Sequence, residues 1–449
     1  MIVIQRKSLM GWGRTSPTVA KVVKAASDEE LAEQVRSAGP RGVLARGLGR
    51  SYGDAAQNAG GVVLDLTGRD QVLAIDKASG VFTVEAGVSL DSLMRQFIPQ
   101  GWFVPVTPGT RAVTVGGAIG SDIHGKNHHV KGTFGQHVRS LDLLTGTGEI
   151  RTLTPEDELF WATVGGMGLT GVVLRADVAM TPIESAFCSV DTRRCANLAD
   201  LLVEMADDDA YEYSVAWVDC LARGESLGRS VLTRGRFARP DELPEKKQGH
   251  ALDFNPRVPL TAPRGIPGGL LNKYSVAAFN EAWFRKAPAH RDGELQSVTT
   301  FFHPLDAVAD WNRIYGPGGL LQYQVVVPDG AEDTIAACID AFSNAGAASF
   351  LAVLKRFGPQ NPGHLSFPTA GWTLALDVPA TMSGLGELLD RLDRLVLDVG
   401  GKGYLAKDSR MSGETLRTMY PRLPRWQELR HEVDPDGVFQ SDLARRLTL

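Results

Sequence analysis

The sequence has little of what marks several protein classes. Only four of its 449 residues are cysteine, at Cys188, Cys195, Cys220 and Cys338. Their separations match no metal-binding spacing and make no disulfide framework, so they read as buried or incidental thiols. No run of about 20 apolar residues occurs, which excludes a membrane-spanning helix. The opening stretch MIVIQRKSLMGWGRTSP carries Arg6 and Lys7 but lacks an apolar core of about 7–15 residues, so no secretory signal peptide is expected there. Basic residues number 47 against 52 acidic ones, net charge −5, and no segment is basic enough to track a phosphate backbone. Nucleic acid is therefore not an expected partner. Internal repeats and low-complexity tracts are missing as well.

Glycine, by contrast, is in excess: 49 of 449 residues, about 11%, where roughly 7% is usual. Without a collagen-like period, such an excess means tight turns or backbone brought close to a ligand. Hydrophobic residues at 43% and charged residues at 22% are ordinary for a folded chain. The length predicts two or three domains and is ample for a buried core.

From Gly42 to about Met180, short apolar runs alternate with glycine. Val43 to Ala45, Val62 to Leu66, Val81 to Ala86 and Ile150 to Leu153 read as strands, and LDLLTGTGEIRTL reads as a hairpin. Ser89 is expected to cap the helix LDSLMRQFI, and Thr154 the helix PEDELFWATV, with Pro155 at its first position. GLTGVVLRADVAM then returns as a strand. Beyond Glu184, helix-like stretches (ANLADLLVEMADD, AEDTIAACIDAFSNAG) alternate with strands (LLQYQVVVP, SFLAVLKRFG, WTLALDVP). The pattern predicts an α+β protein of two domains, residues 1–185 and 186–401, with a segment 402–449 returning to the first. Between Arg234 and Tyr274 lie Pro240, Pro244, Pro256, Pro259, Pro263 and Pro267 with little periodicity, so this stretch is expected to be a lid or an irregular surface loop.

Three glycine motifs invite a phosphate-binding reading, and two fail it. GGMGLTG spells G-x-G-x-x-G at Gly166, Gly168 and Gly171, but a helix precedes it and a strand follows, the reverse of a dinucleotide loop. GSDIHGKN, Gly120 to Asn127, has Asn127 where a P-loop needs Ser or Thr. ARGLGRSYGD, Ala45 to Asp54, follows a strand and holds Gly47, Gly49 and Gly53 with Arg46 and Arg50. Successive amides of such a loop make an anion nest suited to a pyrophosphate. A second glycine-dense stretch, PGTRAVTVGGAIGSDIHGKNHH, follows from Pro108 to His129. Its His124, His128 and His129 have only Asp122 as a nearby carboxylate, and no metal site is expected.

Taken together, the G-L-G-R-S-Y-G-D loop, the P-G-T…T-V-G-G-A-I loop and G-L-T-G-V-V resemble the vanillyl-alcohol-oxidase superfamily of FAD enzymes. The likeness extends through GWGRTSP, ELFWATVGG, LLNKYS, FFHPLD, LSFP, GGKGYLAKDSR and DPDGVFQSDLARRL, almost the whole chain. Within the superfamily it is similar to the actinobacterial decaprenylphosphoryl-β-D-ribose 2′-oxidases, the flavoprotein half of a ribose-to-arabinose epimerase in cell-wall arabinan synthesis. The resemblance implies a two-domain FAD-binding fold with an α+β substrate domain, and non-covalent FAD, since Arg50 stands before Ser51 where histidine-tethered relatives carry the linking histidine. It places Ala45, Arg46, Gly47, Leu48, Gly49, Arg50, Ser51, Tyr52, Gly53, Asp54 and Ala55 against FAD. Gly109, Thr114, Val115, Gly116, Gly117, Ser121, Asp122, Ile123, His124, Val173 and Tyr404 join them. Substrate positions map to Tyr52, His124, Gln322, Gln324, Lys355 and Lys407. The implied partners are a polyprenyl-phosphoryl ribose lipid, an NAD(P)H-dependent short-chain reductase and a membrane surface, with a cell-envelope location, on the periplasmic side or otherwise cytoplasmic. A generic FAD-dependent sugar, polyol or aldonolactone oxidase is the alternative. Departures are Ala375 and Thr373, where many relatives have Cys and Asn, and Phe302, where some have Tyr.

Oxidising a secondary alcohol needs hydride transfer to the flavin and removal of the hydroxyl proton. A lysine can take that proton or stabilise charge, because burial lowers its pKa. By the resemblance that lysine is Lys407, with Tyr52 and His124 as the other titratable groups at the flavin. Gln322 and Gln324 alternate with Leu321 and Tyr323, so both amides lie on one side of a strand, suited to hydroxyl recognition.

Overall fold

The computed structural model describes residues 3–206, 210–258 and 260–449. The β-rich runs of the N-terminal half build two sheets. In the first, Val43–Arg46 and Thr18–Lys24 both pair in parallel with Val62–Asp65, and Val3–Leu9 adds an antiparallel edge. The second is antiparallel throughout, in the order Val72–Asp76, Val81–Glu85, Val172–Ala179, Val138–Leu144, Ile150–Leu153. The expected hairpin is its last pair, with Leu141 opposite Leu153. Ser89 caps Leu90–Phe97 by accepting from the Ser92 amide.

Thr154 does not cap a helix. Its amide and hydroxyl both donate to the Asp157 carboxylate, at 2.7 and 3.1 Å, which closes a turn through Pro155. The helix therefore starts later, at Glu158–Thr163, with Asp157 in the N-cap position. The Pro-rich stretch is also more ordered than its composition predicts. Arg234 belongs to the strand Ser230–Phe237, Glu245–Gln248 forms a helical turn, and Leu260–Thr261 pairs in parallel with Val308–Ala309. Lys273 and Tyr274 open the helix Lys273–Lys286. Pro259, and Asp207 and Asp208 at the end of ANLADLLVEMADD, lie outside the described residues.

The C-terminal half contributes one antiparallel sheet of eight strands. Its order is His290–Ser297, Phe187–Cys195, Ser230–Phe237, Tyr213–Val218, Ala352–Phe357, Gly371–Pro379, Leu320–Pro328, Lys402–Gly403. One face is covered by helices Glu332–Ala345 and Leu385–Asp398. The latter buries Leu385, Leu388, Leu389, Leu392 and Val396, an i, i+3, i+4, i+7 stripe. Tyr323 on that face donates its hydroxyl to Asp393 at 3.1 Å. Alternation then puts Gln322 and Gln324 on the opposite face, where the functional residues gather. All four cysteines are free and buried.

After Gly403 the chain returns to the first sheet. Phe439 bridges in parallel to Val43 and is fully buried beside Leu64. In the last helix, Asp442–Leu447, Arg446 forks onto Asp54 of the glycine loop at 2.8 and 2.9 Å and reaches Asp408, next to Lys407, at 2.9 Å. One arginine thus ties together the two segments that carry the site. Arg446→Ala should cost roughly 3 kcal/mol, the scale for breaking a largely buried pair, and a denaturant titration that matches wild type would show the tie to be dispensable.

Candidate active site

The glycine loop leaves its strand at Arg46 and passes the amides of Leu48, Gly49, Arg50 and Ser51 without a hydrogen-bond partner for any of them among the described residues. Four consecutive free N–H groups form an anion nest. The loop then packs on the turn 404–408: the Tyr52 amide donates to Ala406 O at 2.9 Å, and a Cβ at Gly53 would lie 1.9 Å from Asp408 O. Only glycine permits that approach, and it brings the Lys407 ammonium within 3.8 Å of the centre of the buried Tyr52 ring.

The second glycine segment runs alongside. Thr114 caps the turn of helix Val115–Gly120 by accepting from the Gly117 amide. Gly116 faces the protein, where a Cβ would meet that of Ala86 at 2.9 Å. Gly117 is exposed, and a Cβ there would meet only Thr114 Oγ1, at 3.1 Å. The protein's own packing therefore gives little reason for a second glycine, whereas a ligand lying on this backbone does. Gly109 likewise has open space where a side chain would stand. The nest and this bare backbone fit a flavin dinucleotide, which would lie along residues 45–55 and 114–124.

The substrate-side residues come from three neighbouring strands. Gln322 pairs with Asp377, Gln324 with Ala375, Val353 with Ala375 and Lys355 with Thr373, so all these side chains share one face of the sheet. The Gln322 amide donates to the buried Asp377 carboxylate and approaches Tyr52 OH at 3.4 Å. Gln324 donates to Thr373 Oγ1 at 3.3 Å and meets His124 Nε2 at 3.0 Å. Burial, reinforced by the Lys355 cation, holds His124 well below the usual imidazole range. The ring is thus neutral, accepts at Nε2 and carries its proton on Nδ1, a buried atom with no partner. Tyr404, whose ring centre is 5.1 Å from that of His124, donates its hydroxyl to Ser121 O at 2.7 Å.

Electrostatics set this face apart. Burial lowers Lys355 to about 7, helped by the Lys407 and Lys126 cations. Burial likewise pulls Lys407 down while Asp377 holds its proton on, and burial pushes the Asp377 carboxyl up. Tyr52 rises for the same reason, with Asp377 adding to the effect. Burial thus makes the neutral amine accessible for both lysines, and in that form either can accept a hydroxyl proton.

Not every position expected at the site has a free side chain. Asp54 is engaged by Arg446, and the Asp122 carboxylate accepts from Gly135 N, Asn361 and Ser366. Ala55 and Val173 are buried in hydrophobic clusters, and Ile123 packs in the same cluster as Val173. Phe302 sits among Phe103, Tyr213 and Phe237. Asp377 was not expected. The alternation that links Thr373 and Ala375 would have put it on the same face, as the one carboxylate in an otherwise apolar strand.

Residues 19–154 match the profile of an FAD binding domain, and residues 381–447 that of D-arabinono-1,4-lactone oxidase. The chain is 49% identical to decaprenylphosphoryl-β-D-ribose oxidase of Mycolicibacterium smegmatis, covering 99% of this chain and 98% of that protein. It is 24% identical to L-gulono-1,4-lactone dehydrogenase of Mycobacterium tuberculosis over 95% of each chain, and 24% identical to alditol oxidase of a Streptomyces species over 97% of each. Fold and matches define an FAD-dependent oxidoreductase of the vanillyl-alcohol-oxidase type, acting on CH–OH groups. Within that class, the chain belongs to the decaprenylphosphoryl-β-D-ribose oxidase family.

Gly117→Val should fold yet purify with flavin occupancy lowered tenfold or more, since a loss of about 1.4 kcal/mol suffices; the 450-nm absorbance per chain measures it, and full occupancy would move the cofactor off this helix. Asp377→Asn removes the anion that holds the proton on Lys407, so the Lys407 pKa should fall. The ionisation seen in anaerobic flavin reduction should then move to lower pH by about 1 unit or more, and a profile superimposable on wild type would detach Asp377 from the lysine.

Proposed function

We propose that the protein oxidises the 2′-hydroxyl of a polyprenylphosphoryl-β-D-ribofuranose to the 2′-keto sugar. The observation that carries this reading is the buried face on which Lys407, Tyr52, Gln322 and Asp377 meet beside the glycine loop. The kinship with the mycolicibacterial oxidase supplies the substrate class.

Residues 45–55, 109, 114–124, 173 and 404 would hold FAD non-covalently, and the bound flavin would supply the acceptor for the C2′ hydride. Lys407 takes the hydroxyl proton on its neutral Nζ, and the Asp377 carboxylate steadies the ammonium that results. Gln322 and Gln324 orient the ribose hydroxyls with spare acceptor atoms. Neutral His124 offers its unpartnered Nδ1–H, and Lys355 in its protonated form adds positive potential where oxyanion charge grows. Residues 1–185 carry the cofactor, 186–401 the substrate, and 402–449 returns Lys407 to the flavin side. An NAD(P)H-dependent short-chain reductase takes the 2′-keto product onward to the arabino epimer, and the enzyme meets its lipid substrate at a membrane surface.

The test is anaerobic stopped-flow reduction of the bound flavin. Prenylphosphoryl ribose should bleach it, while alditols and aldonolactones should not; the converse would make the protein a soluble-sugar oxidase. Lys407→Ala should keep its flavin and lose about 10²-fold or more in the reduction rate, the scale for a positioned proton-transfer group. A rate within a few-fold of wild type would remove Lys407 from the chemistry.

A further inference from the structure

A cavity of about 710 Å³ lies beside the glycine loop, and apart from Arg46, Leu48, Gly49 and Arg50 of that loop its lining has no role in the site described so far. Its wall includes five arginines, Arg14, Arg46, Arg50, Arg264 and Arg313, against a single carboxylate, Asp310. In a chain of net charge −5 this is a concentrated positive site. Arg313 is paired with Asp310 at 2.5 Å, and Arg46 is spent on the Ala56 and Met10 carbonyls. Two cations are left for a ligand. Arg50 donates to Leu48 O at 2.5 Å and lies 4.5 Å over the Trp12 ring, but Arg14 has a single long side-chain bond of 3.4 Å to Gly316 O, and exposed Arg264 has no ion pair or hydrogen bond among the described residues.

Besides Asn312 and four glycines, the rest of the lining is apolar: Met10, Trp12, Leu48, Ile266, Pro267 and Pro317. Further out on the same stretch, Leu260, Leu270 and Tyr274 are 63%, 55% and 76% exposed. The cavity also adjoins the reaction site. The Trp12 amide donates to Ser51 O at 2.8 Å and the Gly13 amide to Tyr52 O at 2.9 Å, so one wall is hydrogen-bonded to the residue that carries Lys407 on its ring.

We infer that this cavity is the subsite for the phosphodiester and first apolar units of a phosphoryl-lipid substrate, with Arg14 and Arg264 on the phosphate and Trp12, Ile266 and Pro267 along the chain. The inference rests on the function proposed above and assigns residues to the half of the substrate that the sugar-side strands do not touch. Guanidinium groups fit a phosphate oxygen pair in a way a lone lysine does not. A cavity with cations inside and apolar side chains at its mouth suits a headgroup with its tail leading outward. The free amides of Leu48–Ser51 remain for the cofactor's pyrophosphate.

The test uses the FAD-loaded enzyme and a fifteen-carbon prenyl monophosphate as probe, with the matching prenyl alcohol as control. Calorimetry should show the phosphate binding and the alcohol binding at least tenfold more weakly. Arg264→Glu should weaken the phosphate about tenfold, Arg264→Ala less, with flavin content unchanged in both, and KM for prenylphosphoryl ribose should rise in step. Equal affinity for phosphate and alcohol, or unaltered affinity in both variants, would overturn the subsite. Flavin lost in parallel with the probe would assign the arginines to the cofactor and equally overturn it. Probe binding that depends on Arg264, in an enzyme whose flavin prenylphosphoryl ribose cannot reduce, would sink the proposed oxidation and leave the phosphate subsite standing.

Discussion

The burial of amines on one sheet face is the constraint around which the site is arranged. Burial lowers Lys355, on that face, to about 7 and Lys126, in the neighbouring loop 121–127, to about 8, both far below the 10.5 of a solvated lysine, because it disfavours their charged forms. The folded state binds fewer protons at these positions than the unfolded chain does. Their cost to stability is therefore complete below the folded value, near pH 7 for Lys355, and fades as pH rises toward 10.5. Sequence selected for stability alone would place methionine or leucine there. A scaffold able to carry the cost is visible behind the face, in the two helices whose leucines and isoleucines bury its other side.

Asp377 keeps that arrangement from being merely repulsive. Its charge opposes the desolvation of the Lys407 amine, while the lysine opposes the desolvation of the acid. Gln322 occupies Oδ1 and leaves Oδ2 without a hydrogen-bond partner. An acceptor left open in a dry site is costly unless it is used, and an ammonium formed during turnover would use it. The lysine's basicity is thus set by a residue on another strand, and the sheet register that puts Gln322 opposite Asp377 is part of the chemistry.

Much of this was legible in the chain. The strands at Val43, Val62, Val81 and Ile150, the Ser89 cap and the turn through Gly146 and Gly148 follow from local pattern, and the structure has them within a residue or two. The Thr154 cap failed because a nearby carboxylate, Asp157, competes for the same donors, a contest that propensity does not rank. The Pro-rich stretch gained order from Val308–Ala309, some fifty residues away, which no local window includes. At the site, the glycine loops announced themselves because close backbone approach demands a residue type. Asp377 did not, because its role depends on pairing with a separate strand that brings Gln322 beside it, nor did the arginine cavity, which is assembled from segments hundreds of residues apart.

The two charged regions also differ in a way that follows from solvent. On the sheet face the lysines are largely desolvated, so their charge is conditional on pH and on what lies beside them. In the cavity the cations are arginines, some of them half in water, and a guanidinium stays protonated under either condition. A lysine that must gain and lose a proton during a reaction needs a dry place to lower its pKa. A group that only has to hold a permanently charged phosphate does better as an arginine at the edge of one, where desolvation is small and the positive field extends outward to the ligand. The Trp12 segment, bonded to Ser51 and Tyr52 on one side and stacked against Arg50 on the other, is where these two electrostatic regimes meet.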